Sequence, residues 1–504
     1  MGEIVIGKYA LESLTSGMYA DPLVIYREYI QNAVDSIDNA IDNGILQQHH
    51  ENVIVSIFPM EGRIEIQDNG MGLSVKEALS TLTSIGNSKK DATSARGFRG
   101  IGRLSALGYC EKLTFETTYP GEKEGTRITF DSKMLSELLT SKNEHFDITA
   151  NFVMARIYTV ENFQTRAADH YFNVIMEGVD KNSELLQIES VQEYISQVAP
   201  VPFNPERFCW GNEVIKRLSQ FGYTIPEYNI GIQNGTNRDA IFKPYSDKFL
   251  VDKSRSTYDS IQDITVQQVL DEDKNVIAVL WRAQTGYLGT IADRTIKGLR
   301  VRKGNILIGD SQTLNLVFKD ARFNGWTIGE LYVLSSKLLP NARRDNFEKN
   351  SEYFSLFEKM TMVASDIVKQ IRSASVKRNS ELHAAIEKVD LSSENATKVL
   401  NDCQISPRQK ASVSQQLRSA RQQVSVTASN TPVEEIVKEI AFEELDMLIG
   451  KVQGATRYKS INLLGKLSKS EKKVLERVFN GLNCQLPKSE SSKAIDAILM
   501  EFKK

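Results

Sequence analysis

Strand pairs set among helices constrain this chain more than any other feature. VIVSIF (53–58) and RIEIQD (63–68) flank the turn PMEG, and KLTFETT (112–118) and TRITF (126–130) flank PGEKEG. Residues 22–43 and 75–85 read as amphipathic helices, and 103–109 continue a helix out of a glycine-rich turn. This pattern predicts an α+β sandwich over residues 1–185, a mostly antiparallel sheet with helices on one face. A second α/β region is expected over 186–350. It holds hairpins at 264–284 around DEDKN and at 298–309 around Lys303-Gly304-Asn305. Residues 351–504 are poor in strand signals and read as mostly helical. One helix starts at Thr431 and Pro432 and is expected to stop at Gly450, and the Ser/Gln-rich stretch 411–430 reads as including a flexible link.

The balance of the chain excludes several classes. Apolar residues make up 41% and charged residues 25%, so a packed core is expected rather than disorder. Net charge is −2, which gives no support to a strongly basic nucleic-acid binder. Cys110, Cys209, Cys403 and Cys484 form no C-x-x-C pair, which fits a reducing cytosol and a cytoplasmic protein rather than a disulfide framework. The first residues carry no signal-peptide pattern, Ile6 stands where an acylation signal needs Ser or Thr, and no apolar run approaches a membrane span. The five histidines (His49, His50, His145, His170, His383) have no metal-ligand spacing and read as structural or solvated.

Three segments carry candidate chemistry. On the helix YREYIQNAVDSIDNAI (26–41), Ile30, Ala33, Val34, Ile37 and Ile41 fall on one stripe, while Glu28, Asn32 and Asp35 fall on the opposite face. Taken alone, that trio is a solvated face. Asp68-x-Gly70-x-Gly72 follows directly on a strand, a common loop signal. In RGFRGIGRLSALG (96–108), Gly97, Gly100 and Gly102 lead into an apolar helix, whose start offers N–H groups to a phosphate. It is not a Walker A loop, since no Gly-Lys-Ser/Thr follows, and it is a poor dinucleotide-binding signal. The polar, basic stretch 80–98 between the glycine motifs has the character of a mobile lid.

Taken in order, these motifs resemble the ATP-binding (Bergerat-type) domain of the GHKL superfamily: gyrase, heat-shock chaperone, histidine kinase and MutL. REYIQNAVDSID and GFRGIGRLSALG are most similar to boxes of the ninety-kilodalton heat-shock chaperones of HtpG type. The resemblance covers roughly residues 1–130 and implies ATP and Mg²⁺ as ligands. It implies Glu28 as general base toward water and Asn32 as an oxygen ligand to Mg²⁺. Asp68 would accept from the adenine amino group, Gly70 and Gly72 would let backbone approach the purine, and Thr126 would back up Asp68 directly or through water. Gly97, Gly100 and Gly102 would close over the phosphates. Asp35 falls where the family has a carboxylate near the pocket, and Lys89 is a candidate phosphate contact from the lid. The chaperones carry an Asn pair where this chain has Ser80-Thr81, which puts the contact from that helix in doubt.

VQEYISQVAPVPF (191–203) resembles the entry to the chaperones' middle domain, and ELYVLSSKLLPNARRDNF (330–347) their segment carrying an arginine that reaches the γ-phosphate. That match implies Arg344 in this role, with Arg343 the neighbouring option. The resemblance implies a homodimer acting on protein clients, and some similar proteins serve in phage defence. The competing reading is a nucleic-acid clamp of MutL or MORC type. It would draw on Lys297, Arg300, Arg302, Lys303, Arg343 and Arg344 as a basic inner surface. A histidine kinase is disfavoured because Glu28 comes too early for a preceding phosphoacceptor helix. A type II topoisomerase is disfavoured by length.

Overall fold

The computed structural model describes residues 6–9, 11, 21–84, 102–140, 149–235, 237–252, 256–378, 380–401, 407–429, 432–455 and 468–501. The chain forms two compact units, one of residues 1–286 and 290–365, the other of 287–289 and 366–504.

In the first unit, helix α1 (Val24–Asp42) begins behind Asp21, whose carboxylate accepts from the Leu23 N–H at 2.9 Å. It ends at Asn43, whose backbone and side-chain N–H groups both reach the Asn39 carbonyl, at 3.1 and 2.7 Å. Strands β1 (Val53–Phe58) and β2 (Arg63–Asp68) pair antiparallel, with Ile57 opposite Ile64, Val55 opposite Ile66 and Val53 opposite Asp68. Ile64 and Ile66 bury with Val53, Val55 and Ile57 against Ile30, Ala33, Val34 and Ile37 of α1. Asp68 is the next member of that inward series, so the two-residue period of the strand carries a carboxylate to the helix-covered face.

Short helices α2 (Val75–Thr83), α3 (Ser132–Thr140) and α4 (Ala150–Met154) and a further strand pair complete this layer. β3 (Lys112–Thr118) pairs with β4 (Glu124–Asp131), as the sequence pattern predicts. Two strands that the pattern does not reveal join them: β5 (Tyr158–Gln164) on the edge and β6 (Tyr171–Glu177) between β3 and β2. After α5 (Ile188–Val198) and α6 (Gly211–Gln220), strands β7 (Ile230–Asn234) and β8 (Asn237–Ala240) return to this sheet, β7 parallel to β1. The sheet has eight strands in the order β5-β4-β3-β6-β2-β1-β7-β8.

A six-stranded sheet follows in the same unit, ordered β13-β12-β14-β11-β10-β9. Its strands are β9 (Lys248–Asp252), β10 (Thr257–Leu270), β11 (Val276–Thr285), β12 (Gly298–Lys303), β13 (Ile306–Ile308) and β14 (Ile328–Val333). Both expected hairpins form, β10 with β11 and β12 with β13. Inside this sheet lies a fully buried polar node. The Glu330 carboxylate receives Lys243 Nζ at 3.0 and 2.7 Å and the Tyr245 hydroxyl at 3.1 Å, and it is also bonded by Arg302 and Tyr332.

Helix α7 spans Ser351–Arg378. In the second unit α8 (Ser380–Asn401), α9 (Pro407–Val426) and α10 (Pro432–Gly454) share one core. The expected link at 411–430 is largely helix α9. Its Val413, Leu417, Ala420 and Val424 recur at three and four and are all buried, so tertiary packing overrides a weakly amphipathic sequence. Gly450 does not stop α10, which runs to Gly454; one glycine in a well-packed helix costs only about 1 kcal/mol. Thr431, the expected cap, lies outside the described residues. Helices α11 (Lys469–Gln485) and α12 (Lys488–Glu501) bury Phe479 against Ile495, and α11 opens on a capping box of Ser468 and Glu471. Among the described residues no helix is long and apolar enough to cross a membrane.

Candidate nucleotide site

The polar face of α1 is not solvated. Glu28 is 8% exposed, Gln31 is buried, and Asn32 and Asp35 are half-buried. The Glu28 carboxylate sits between two guanidinium groups, with Oε1 at 3.3 Å from Arg27 Nη2 and 3.4 Å from Arg344 Nε. Its other oxygen lies against Gly102, where a Cβ would come within 2.3 Å of Oε2. Thus the first and third sequence motifs meet at one carboxylate. Tyr29, one residue on, donates its hydroxyl to the Arg103 carbonyl at 2.8 Å and ties α1 to that turn. Burial pushes the Tyr29 phenol well up, so it stays a donor.

Arg344 arrives from a turn over residues 340–347, closed by a bridge between Pro340 and Phe347. Arg343 is exposed, and it is its carbonyl that accepts from Arg27, at 3.0 Å. Of the two neighbouring arginines, Arg344 therefore presents its side chain to Glu28.

Around Asp68 the loop is clamped from three sides. Asp68 is 4% exposed and accepts from the Gly70 N–H at 2.8 Å. Gly70 runs against α1, where a Cβ would lie 2.4 Å from Ser36 Oγ and 2.7 Å from the Ile37 nitrogen. Its carbonyl meets His170 Nδ1 at 2.9 Å, so that histidine is structural. Gly72 has φ +66°, and a Cβ there would lie 1.9 Å from the Thr118 carbonyl oxygen. The next N–H, of Leu73, bonds Thr117 Oγ1 at 2.8 Å.

Thr126 is not beside Asp68. The pairing register runs Asp68–Phe172–Thr117–Thr126, which sets Thr126 three strands away, about 14 Å at the usual strand spacing. β6, unseen in the sequence pattern, and β3 both lie between them, and Phe172 on β6 is the direct neighbour of Asp68. Thr126 is buried, with Oγ1 3.5 Å from Asn162 Oδ1. Lys89, Gly97 and Gly100, with most of the expected lid, lie outside the described residues. Within α2, the Ser80 hydroxyl donates back to the Glu77 carbonyl of its own helix at 3.1 Å, and the Thr81 carbonyl accepts from Arg103. The helix expected at 103–109 is a tighter 3-10 segment, Gly102–Gly108.

Two residues escape the motif reading. Arg27 directly precedes Glu28 in the chain, and a cation inside an otherwise apolar turn is the available signal. Phe172 had none beyond a short polar-apolar alternation.

The donor set suits a nucleotide with a divalent cation. A buried carboxylate ends an inward-facing strand position, two glycines bring backbone close beside it, and a half-buried carboxamide lies one turn from a buried carboxylate flanked by arginines. Mg²⁺ commonly takes only one or two protein oxygens and completes its shell with phosphates and water, so a site with few protein ligands fits it.

The family described as histidine kinase-, DNA gyrase B- and HSP90-like ATPase matches residues 27–159. The chain is similar to the chaperone protein HtpG of Buchnera aphidicola, 24% identical over 190 residues, covering 32% of this chain and 30% of that one. HtpG of Acinetobacter baylyi is 27% identical over 217 residues (36% and 32%), and that of Alcanivorax borkumensis 30% over 141 residues (24% and 23%). The matched stretch spans about a third or less of these relatives' length. Together with the fold above, these similarities place a GHKL-type ATPase domain over residues 27–159, similar at low identity to part of HtpG.

Proposed function

We propose that this protein binds ATP with Mg²⁺ and hydrolyses it to drive a conformational cycle, as an HSP90-like clamp acting on protein clients. The observation that carries the reading is the Glu28 carboxylate, buried between Arg27 and Arg344 and closed on its third side by the Gly102 backbone. A carboxylate held by two guanidinium groups is a poor proton acceptor. A γ-phosphate competes for Arg344, and once Arg344 turns to it Glu28 can take a proton from water. Arg344 then stabilises charge on the transferring group. Asp68 reads the adenine amino group, and Gly70 and Gly72 admit the purine beside it. Asn32 supplies an oxygen to Mg²⁺, which when bound offsets the phosphate charge. Asp35, Lys89, Gly97 and Gly100 complete the site in this reading. Thr126 has no part in it at its distance from Asp68. The domains follow the divisions 1–185, 186–350 and 351–504, except that β7 and β8 (230–240) belong with the first sheet; the helical region serves a homodimer, with the cytoplasm as the place of action. A role in phage defence is one setting for such a machine.

The nucleic-acid clamp draws less support. Arg300, Arg302 and Arg344, three of the six basic residues it needs, are buried within the chain. Glu28→Ala tests the main reading. It is expected to keep Mg²⁺-ATP binding by calorimetry and to lower turnover to background. Undiminished hydrolysis by that variant would remove Glu28 from the reaction.

A further inference from the structure

Arg344 sits at φ +56°, a backbone region that side-chain-bearing residues adopt only when their surroundings impose it. Part of the constraint is internal to the turn. Arg344 N–H reaches the Asn341 carbonyl at 3.1 Å, Asn341 N–H the Asn346 carbonyl at 2.9 Å, and the Asn341 amide the Asp345 carboxylate at 2.5 Å. The rest comes from Gly309, directly after β13. Its N–H donates to the Arg344 carbonyl at 2.8 Å. Gly309 has φ +69°, and a Cβ there would lie 2.1 Å from Thr313 Oγ1 and 2.7 Å from the Asp345 carbonyl oxygen. No side chain fits between β13 and the turn.

The other end of the β12–β13 hairpin is anchored in the buried polar node. Asn305 is fully buried, receives Lys243 Nζ at 2.8 Å and donates to the Pro226 carbonyl at 2.7 Å. Arg302, bonded to Glu330, also donates to the carbonyls of Asn305 at 2.9 Å and Gln197 at 2.7 Å. The hairpin is therefore a short rigid arm, fixed at its base and ending on the turn that carries Arg344.

We propose that Gly309 is a positioning residue for Arg344: its N–H and its missing side chain let the β12–β13 arm hold the Arg344 turn where the guanidinium meets Glu28. The proposal rests on the reading of Arg344 as the phosphate-facing arginine. Gly309 reaches the site only through the turn, by its N–H to the Arg344 carbonyl.

The test compares Arg344→Ala, Gly309→Ala and the double variant in steady-state ATP hydrolysis, with thermal melting to establish that each folds. Gly309→Ala is expected to lower kcat roughly tenfold to a hundredfold, the effect of a displacement near 1 Å, with KM for ATP held within about twofold. The double variant is expected to be no slower than Arg344→Ala, because Gly309 acts through Arg344. A folded Gly309→Ala with the kcat of the unaltered protein, or losses that multiply in the double variant, overturns the proposal while leaving Arg344 in place. An Arg344→Ala variant with full kcat overturns both the proposal and the reading beneath it. Should Gly309→Ala not fold, Asn341→Ala loosens the same turn from its other side. It is expected to lower kcat with KM unchanged, and full kcat in that variant counts against the proposal equally.

Discussion

At the scale of single residues, charge and position decide the site. Asp68 is a carboxylate at a strand position that Ile64 and Ile66 mark as inward. A carboxylate so placed costs free energy unless it meets donors, and the Gly70 N–H is one. In the proposed site the adenine amino group is another. Asp68→Asn turns one acceptor oxygen into a donor and sets N–H against N–H. Losing a hydrogen bond to a charged group costs about 1.5–3 kcal/mol, so ATP affinity is expected to fall roughly tenfold to a hundredfold in calorimetry. Affinity within a factor of two of the original would take Asp68 out of base recognition.

At the scale of elements, the buried node around Glu330 anchors the second sheet. Burial alone would raise the Glu330 carboxyl, but Arg302 and Lys243 outweigh it and bring it down to about 2. In turn, burial and the charge of Arg302 pull the Lys243 ammonium below its ordinary range, against the pull of Glu330. Since the folded carboxyl binds its proton more weakly than the unfolded one, the stabilisation from Glu330 is complete above the ordinary value of 4.5 and is lost as pH falls toward 2. Glu330→Gln leaves Arg302 and Lys243 buried without their counter-charge. It is expected to cost about 3–5 kcal/mol in urea unfolding and to flatten stability between pH 4.5 and 2. A cost under about 1 kcal/mol, or an unchanged acid limb, would show the node to be dispensable. Elements also explain the error over Thr126. Its place on β4 was legible, but the insertion of β6 between β3 and β2 was not, and β6 together with β3 sets its distance from Asp68.

At the scale of the whole molecule, the helical region shows how far local pattern can mislead. Ser and Gln in 411–430 suggest a link, yet Leu417 is fully buried at the centre of α9. Leu417→Ala removes a packed side chain and is expected to cost about 2–5 kcal/mol, seen as a lower melting point of the intact chain. An unshifted transition would mean that α9 is not held by this core.

What the order of residues determined alone is the set of local preferences. The period of two in 53–68 and 112–130, the apolar stripe of 24–42 and the glycine motifs at 70–72 and 97–102 each depend on neighbours within one turn or one strand. They suffice for the sandwich; Glu28, Asn32, Asp68 and Arg344 became candidates only through the family resemblance that the ordered motifs carry. Tertiary structure decided which of them meet. Strand order puts Phe172 rather than Thr126 beside Asp68, and a turn more than three hundred residues away brings Arg344 rather than Arg343 to Glu28. The reason is physical: periodicity reports which side of an element a residue faces, whereas proximity between elements depends on pairing and packing over long sequence separations, which no local window contains.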